Sequence, residues 1–103
     1  MVKKVIYLDA AVQDLASIYK YIAWDSIKYA KLEVEKIKSF CNSLISHPMK
    51  GRYYETKRGK EIRSAVFKNY IIFYSAEDAR IEILSIHHHS RLISNNPAFK
   101  DDE

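Results

Sequence analysis

The residues with the widest chemical scope in this sequence are His87-His88-His89, the lysines Lys57 and Lys60, and the arginines Arg63 and Arg91. Imidazole is a common ligand for zinc, copper and nickel. Successive side chains on a strand point to opposite faces, so His87 and His89 can share a side while His88 cannot, and no Cys or carboxylate motif completes a coordination shell. No metal site and no cofactor is expected. Acid-base work is the other use: a histidine with a reference pKa of about 6.5 can shuttle protons. If Arg63, His88 and Arg91 converge, they form a cationic site for phosphate. Cleaving RNA through its 2′-OH needs a base, a cation for the developing charge and an acid, roles open to Lys57 or Lys60, Arg63 and His88. The competing reading is structural, with Arg63 in an ion pair and Arg91 anchoring the tail. Strand register decides between them, and register cannot be read from one sequence.

Other chemistries are excluded by what is missing. Glycine occurs only at 51 and 59, so neither a GxxxxGK[ST] nor a GxGxxG phosphate cradle can be built. There is no GxSxG elbow. Cys41, the one cysteine, falls on the inward stripe of a helix and reads as a buried structural thiol. A lone cysteine forms no intramolecular bridge, so a reducing compartment is expected, and the cytoplasm is the default. The apolar run Val5-Ile6-Tyr7-Leu8 stops at Asp9, too short for a signal peptide and far short of the ~20 residues that span a bilayer. No membrane association is expected.

Charge is unevenly distributed. Lys50 to Lys68 carries seven basic and two acidic residues, a local +5 in a chain whose net charge is +4, which leaves the remainder at −1. With Tyr53 and Tyr54 interleaved, the segment suits a polyanion or an acidic protein partner; an ordinary solvated loop has the same composition. Arg58 and Lys60 are its central cations.

The elements that must position these residues follow from periodicity. Val2 to Leu8 reads as a strand, with Asp9 as the N-cap of a helix whose inward stripe is Ala11, Val12, Leu15, Ile18, Tyr19 and Ile22. A second helix follows Asp25-Ser26, with Ala30, Val34, Ile37, Cys41, Leu44 and Ile45 at three- and four-residue spacing; Pro48 and Gly51 close it. Ile62 to Phe67, Tyr70 to Ser75 and Arg80 to His87 read as three strands joined at Lys68-Asn69 and Ala76 to Ala79, hence an antiparallel meander. Tyr70 to Tyr74 is apolar throughout, so it is the central strand. Arg52 to Lys60 is a basic loop that leads into Arg63. The expectation is one α+β domain spanning 1–103, ordered β-α-α-β-β-β, with a helical hairpin packed on a twisted, mainly antiparallel sheet and a tail from about residue 93.

That layout resembles the RelE/ParE toxin superfamily of bacterial type II toxin-antitoxin systems, and its ParE branch most closely. The resemblance rests on Ala11, Asp14-Leu15, Ile18 and Tyr21-Ile22, on Pro48 and Gly51, on Ile62-Arg63, on Asn69 to Tyr74, and on Ile83 to His88 followed by Arg91. Ser85 and Leu92 depart from the pattern. The resemblance implies a toxin that inhibits DNA gyrase and is held inactive by a cognate antitoxin, ParD-like or related, as in plasmid stabilisation. Target contact is then assigned to Arg58, Lys60, Arg63, His88 and Arg91, and antitoxin contact to Leu15, Ile18, Tyr19 and Ile22. The RelE branch implies instead a ribosome-dependent mRNA endoribonuclease using Lys57, Lys60, Arg63, His88 and Arg91. An inactive nucleic-acid-binding paralogue is a third reading.

Overall fold

A computed structural model describes residues 3–88 of the chain. Arg91 and the tail lie outside the described residues. The elements run β1 (Lys4–Tyr7), α1 (Asp9–Ala23), α2 (Ile27–Ser43), β2 (Arg52–Lys57), β3 (Lys60–Phe67), β4 (Tyr70–Ala76) and β5 (Arg80–His88).

Both helices lie where the 3.6-residue periodicity puts them. Leu8, and not Asp9, is the N-cap of α1, and it offers no side-chain hydrogen bond; Asp9 stands in the first turn, where its charge opposes the positive end of the helix dipole. Ser26 does cap α2, its Oγ accepting from the Tyr29 N–H at 3.1 Å. The intervening turn is tight, with the N–H groups of Asp25 and Ser26 both donating to the Ile22 carbonyl at 3.0 Å.

The sheet has the order β1-β5-β4-β3-β2, with β1 parallel to β5 and every other pair antiparallel. The apolar strand β4 is central, as expected. β2 is an addition: the basic segment pairs with β3 through a two-residue turn at Arg58-Gly59, where φ is +54° and +78°, the left-handed pair of a type I′ hairpin. All of its residues are exposed, so it carries no burial alternation to mark it. One row, Tyr7, Ile83, Tyr74, Arg63 and Tyr53, crosses all five strands.

The helices cover one face of this sheet. The core joins Leu15, Ile18, Ile37, Cys41 and Leu44 from the helices to Ala65, Ile72, Tyr74, Ile81 and Ile83 from the strands. Phe40 stacks on Phe67 at 4.9 Å between centroids, which ties α2 to β3. Cys41 is fully buried and shares a hydrogen bond with Tyr7; burial pushes its thiol up to about 11, so it is a packing residue.

β1 is shorter than β5, so among the described residues the outer edge of β5 has no strand partner beyond Ile83. Asp14 on α1 closes part of it, its Oδ2 accepting from the buried Ile86 N–H at 2.9 Å. Replacing Asp14 by alanine orphans that donor and is expected to cost about 1 to 3 kcal/mol in urea denaturation, whereas Asp14→Asn keeps an acceptor and loses less. Equal stability of the two variants would contradict the assignment.

Candidate functional site

The register separates the residues that the sequence offered as a catalytic group. Arg63 pairs with Tyr74 and His88 with Tyr70, four residues apart along β4 or about 13 Å. Catalytic partners need hydrogen-bond reach. Each is also engaged locally. Arg63 donates from Nη1 to the Gly51 carbonyl at 2.9 Å and lies 3.5 Å from the exposed Glu61 carboxylate. The His88 ring meets Tyr70 edge-on at 5.4 Å. Lys60 donates to Glu82 at 3.0 Å on the face away from the helices. Arg58 is in the β2–β3 turn and Lys57 beside it at the end of β2. The structural reading of Arg63 thus has its partner, although that partner is a carbonyl first and a carboxylate second.

The stripe assigned to antitoxin contact is also largely internal. Leu15 and Ile18 are buried in the core and Ile22 packs against it. The correction is physical: an amphipathic helix turns its apolar stripe towards the sheet, so the same periodicity that identifies the helix removes those residues from the surface. Tyr19 is half-buried and lines a shallow groove between α1 and α2 with Tyr7, Val12 and Val34.

A different constellation does assemble, on the sheet face that neither α1 nor α2 covers. A groove of about 360 Å³ has Phe73 in its floor, with Tyr54, Ile62, Leu84 and His87 around it and Lys57 at its rim. Tyr54 meets Phe73 edge-on at 5.0 Å and His87 meets it at 5.5 Å. Two bulges build this groove. The pairing shifts between Tyr53 and Glu55 leave Tyr54 as an extra residue on β2, and the shift opposite Phe73 and Tyr74 leaves Leu84 extra on β5. Bulges re-aim side chains, and here both extra residues line the same depression. Burial holds the His87 imidazole below its ordinary pKa, so the ring is neutral at pH 7. The chemistry on offer is stacking of a flat ring beside one lysine charge. Tyr54 belongs to the aromatic pair that the sequence marks inside the basic segment, whereas nothing in the sequence brings Phe73 and His87 to it, because the register that does so depends on the two bulges.

Residues 5–93 match the family described as the ParE toxin of the type II toxin-antitoxin system parDE. This chain belongs to the ParE toxin family. No curated protein sequence matches it. Among solved structures, the chain is similar to the chromosomal ParDE toxin-antitoxin system of P. aeruginosa, at 20% identity and TM-score 0.68 over 85% of this chain and 96% of that one. It is also similar to the RelBE2 toxin-antitoxin complex of Mycobacterium tuberculosis, at 18% identity and TM-score 0.62 over 85% and 99%. The archaeal RelE-RelB complex of Pyrococcus horikoshii gives 20% identity and TM-score 0.62 over 88% and 99%. At these identities the likeness establishes the fold, two helices on a five-stranded mixed sheet as in RelE/ParE-like toxins.

In this ParE-family chain the basic end of the sheet is organised around one buried carboxylate. Glu82 is 5% exposed and accepts from Lys60 Nζ at 3.0 Å and from Arg80 Nε at 2.8 Å and Nη2 at 2.7 Å. The Lys60 hydrogen bond, aided by Arg80, holds the carboxyl below the usual glutamate range despite its burial. A carboxylate whose folded pKa is depressed stabilises the fold above its unfolded pKa of about 4.3, and that stabilisation is lost as pH falls through the folded value. Thermal melts between pH 6 and 3 are therefore expected to drop more steeply for the wild type than for Glu82→Gln. Parallel curves would remove Glu82 as the cause. Among the described residues, no helix is long and apolar enough to cross a membrane.

Proposed function

We propose that this ParE-family chain is the toxin of a type II pair, acting by binding DNA gyrase in the cytoplasm and neutralised by a cognate ParD-like antitoxin. The observation that carries binding over catalysis is the separation of Arg63 from His88 by four residues along β4, with Lys60 held by Glu82. A nuclease with those residues would need them around one phosphate. The antitoxin fits this reading as an extended segment that folds onto the surface and lays apolar side chains into the groove beside Tyr19. Arg58 and Lys60, at the β2–β3 turn, offer positive charge to the target.

The open-face groove favours a second reading. Its edge-on aromatics, neutral His87 and Lys57 suit a nucleobase with a neighbouring phosphate, the contacts a ribosome-dependent mRNA endoribonuclease would use. One paired experiment separates the two: supercoiling by purified gyrase, run beside cleavage of mRNA on programmed ribosomes. Loss of supercoiling with intact mRNA supports the gyrase reading. Cleaved mRNA with normal supercoiling overturns it, and Tyr54→Ala and Lys57→Ala should then abolish cleavage. On the gyrase reading, Arg58→Glu combined with Lys60→Glu is expected to raise the inhibitory concentration about tenfold or more, with the largest difference at low salt.

A further inference from the structure

We propose that the tip of the helical hairpin, built on Trp24, is an anchor that docks into an apolar, acid-rimmed pocket on a folded protein. The proposal rests on the gyrase reading, which makes gyrase the partner to test.

Trp24, the only tryptophan in the chain, is 90% exposed at the C-cap of α1. Tyr21, one turn earlier, is 69% exposed, and Ile27, the first residue of α2, is 59% exposed. These residues are not the overflow of a crowded core, because the α1 stripe of Ala11, Leu15 and Ile18 is already buried against the sheet. Exposed tryptophan and tyrosine on a rigid element are the side chains that most often dominate binding energy.

The tip is rigid and it protrudes. Trp24 N–H donates to the Lys20 carbonyl at 3.2 Å, and the next two N–H groups close on Ile22. A backbone fixed in this way loses little freedom on binding. The Lys68 ammonium, reaching from the β3–β4 turn, lies 3.6 Å from Glu33 on α2, while Phe67 before it stacks on Phe40 further along that helix. Ile27 lies six residues before Glu33, about 9 Å nearer the N-terminal end of that helix. Among the described residues, the tip is therefore a convex knob without walls of its own.

A convex knob needs a partner that supplies the concavity, which means a folded protein with a preformed pocket; an extended peptide brings side chains to fill grooves. A lipid surface is disfavoured because the apolar stripe of α1 faces inward and only one turn remains to insert. The rim chemistry follows from charge. Lys20, Lys28 and Lys31 are exposed around the tip against Asp25 alone, so the matching pocket is edged with carboxylates. This contact is at the opposite end of the sheet from Arg58 and Lys60, so the two sites are expected to act independently.

The test uses Trp24→Ala and Trp24→Phe in the supercoiling assay. Because Trp24 is exposed, both variants should keep the wild-type thermal midpoint. Trp24→Ala is expected to raise the inhibitory concentration at least tenfold, and Trp24→Phe to restore most of the loss. The 19F signal of chain labelled with 5-fluorotryptophan should shift or broaden when gyrase is added. Wild-type inhibition that Trp24→Ala leaves unchanged overturns the anchor while the gyrase reading stands. If the wild type fails to inhibit, the gyrase reading falls and the anchor with it. A 19F shift with phosphatidylserine vesicles but none with gyrase overturns the proposal in favour of a membrane.

Discussion

Replacing Gly51 by alanine is expected to lower the thermal midpoint by roughly 10 °C, from an overpacking cost of about 2 kcal/mol and about 4 to 8 °C per kcal/mol in a domain of this size. A Cβ at this position would sit 2.8 Å from the Ser64 carbonyl oxygen and 2.8 Å from the Tyr74 ring. The first of those neighbours is backbone inside a paired strand and cannot swing away. Gly51 is also the centre of a lock that holds the segment after α2 against the sheet. Its N–H donates to the Tyr74 hydroxyl at 2.9 Å, that hydroxyl donates to the Pro48 carbonyl at 2.8 Å, and Arg63 donates to the Gly51 carbonyl. Tyr74→Phe removes two of these bonds and should cost about 1 to 3 kcal/mol by itself. In the double variant the shortened ring relieves only part of the clash, since the Ser64 oxygen remains. Full recovery of Gly51→Ala by Tyr74→Phe, or an unchanged midpoint in Gly51→Ala, would contradict this account.

The second large effect is expected at Glu82. Glu82→Lys puts a third cation beside Lys60 and Arg80 at a position that is 5% exposed, and should cost about 3 kcal/mol, the lower end of what an uncompensated buried charge costs. The lower end applies because Lys60 and Arg80 are about half-exposed and can turn to solvent. Glu82→Gln retains the shape and one acceptor, so it should cost much less. Chemical denaturation of both variants at pH 7 measures the gap, and high salt should narrow it. Equal stability of the two would show that the carboxylate fills space and does not organise charge.

Particular residues explain what was legible in the sequence. The helices and the meander were legible because their apolar residues repeat at helix or strand spacing and all point into one core: Ile37 and Cys41 on α2, Leu44 at its C-cap, and Ile72 and Tyr74 on β4 are buried as the pattern requires. β2 was not legible because an edge strand with both faces wet carries no alternation, although Arg58-Gly59 is a two-residue turn signal. The register was not legible because bulges at Tyr54 and Leu84 each insert one residue, and a single insertion exchanges the faces of everything beyond it. That is why Arg63 and His88 could be imagined together and Tyr54, Phe73 and His87 were not. The stripe of Leu15 and Ile18 identified α1 correctly, and the same periodicity buries both residues against the sheet.

The parallel pairing of β1 with β5 has a consequence for synthesis. Lys4 pairs with Arg80, 76 residues later, so the N-terminal strand has no neighbour in the sheet until β5 has left the ribosome. At about 5 to 20 residues per second, that wait is on the order of 4 to 15 s. The helical hairpin and the β2 to β4 strands are built from short-range contacts and can form meanwhile, but the core above β1 stays open. Whatever this chain does as a folded protein is therefore delayed until β5 is made, and a nascent chain stalled before Arg80 is incomplete at the strand from which α1 springs.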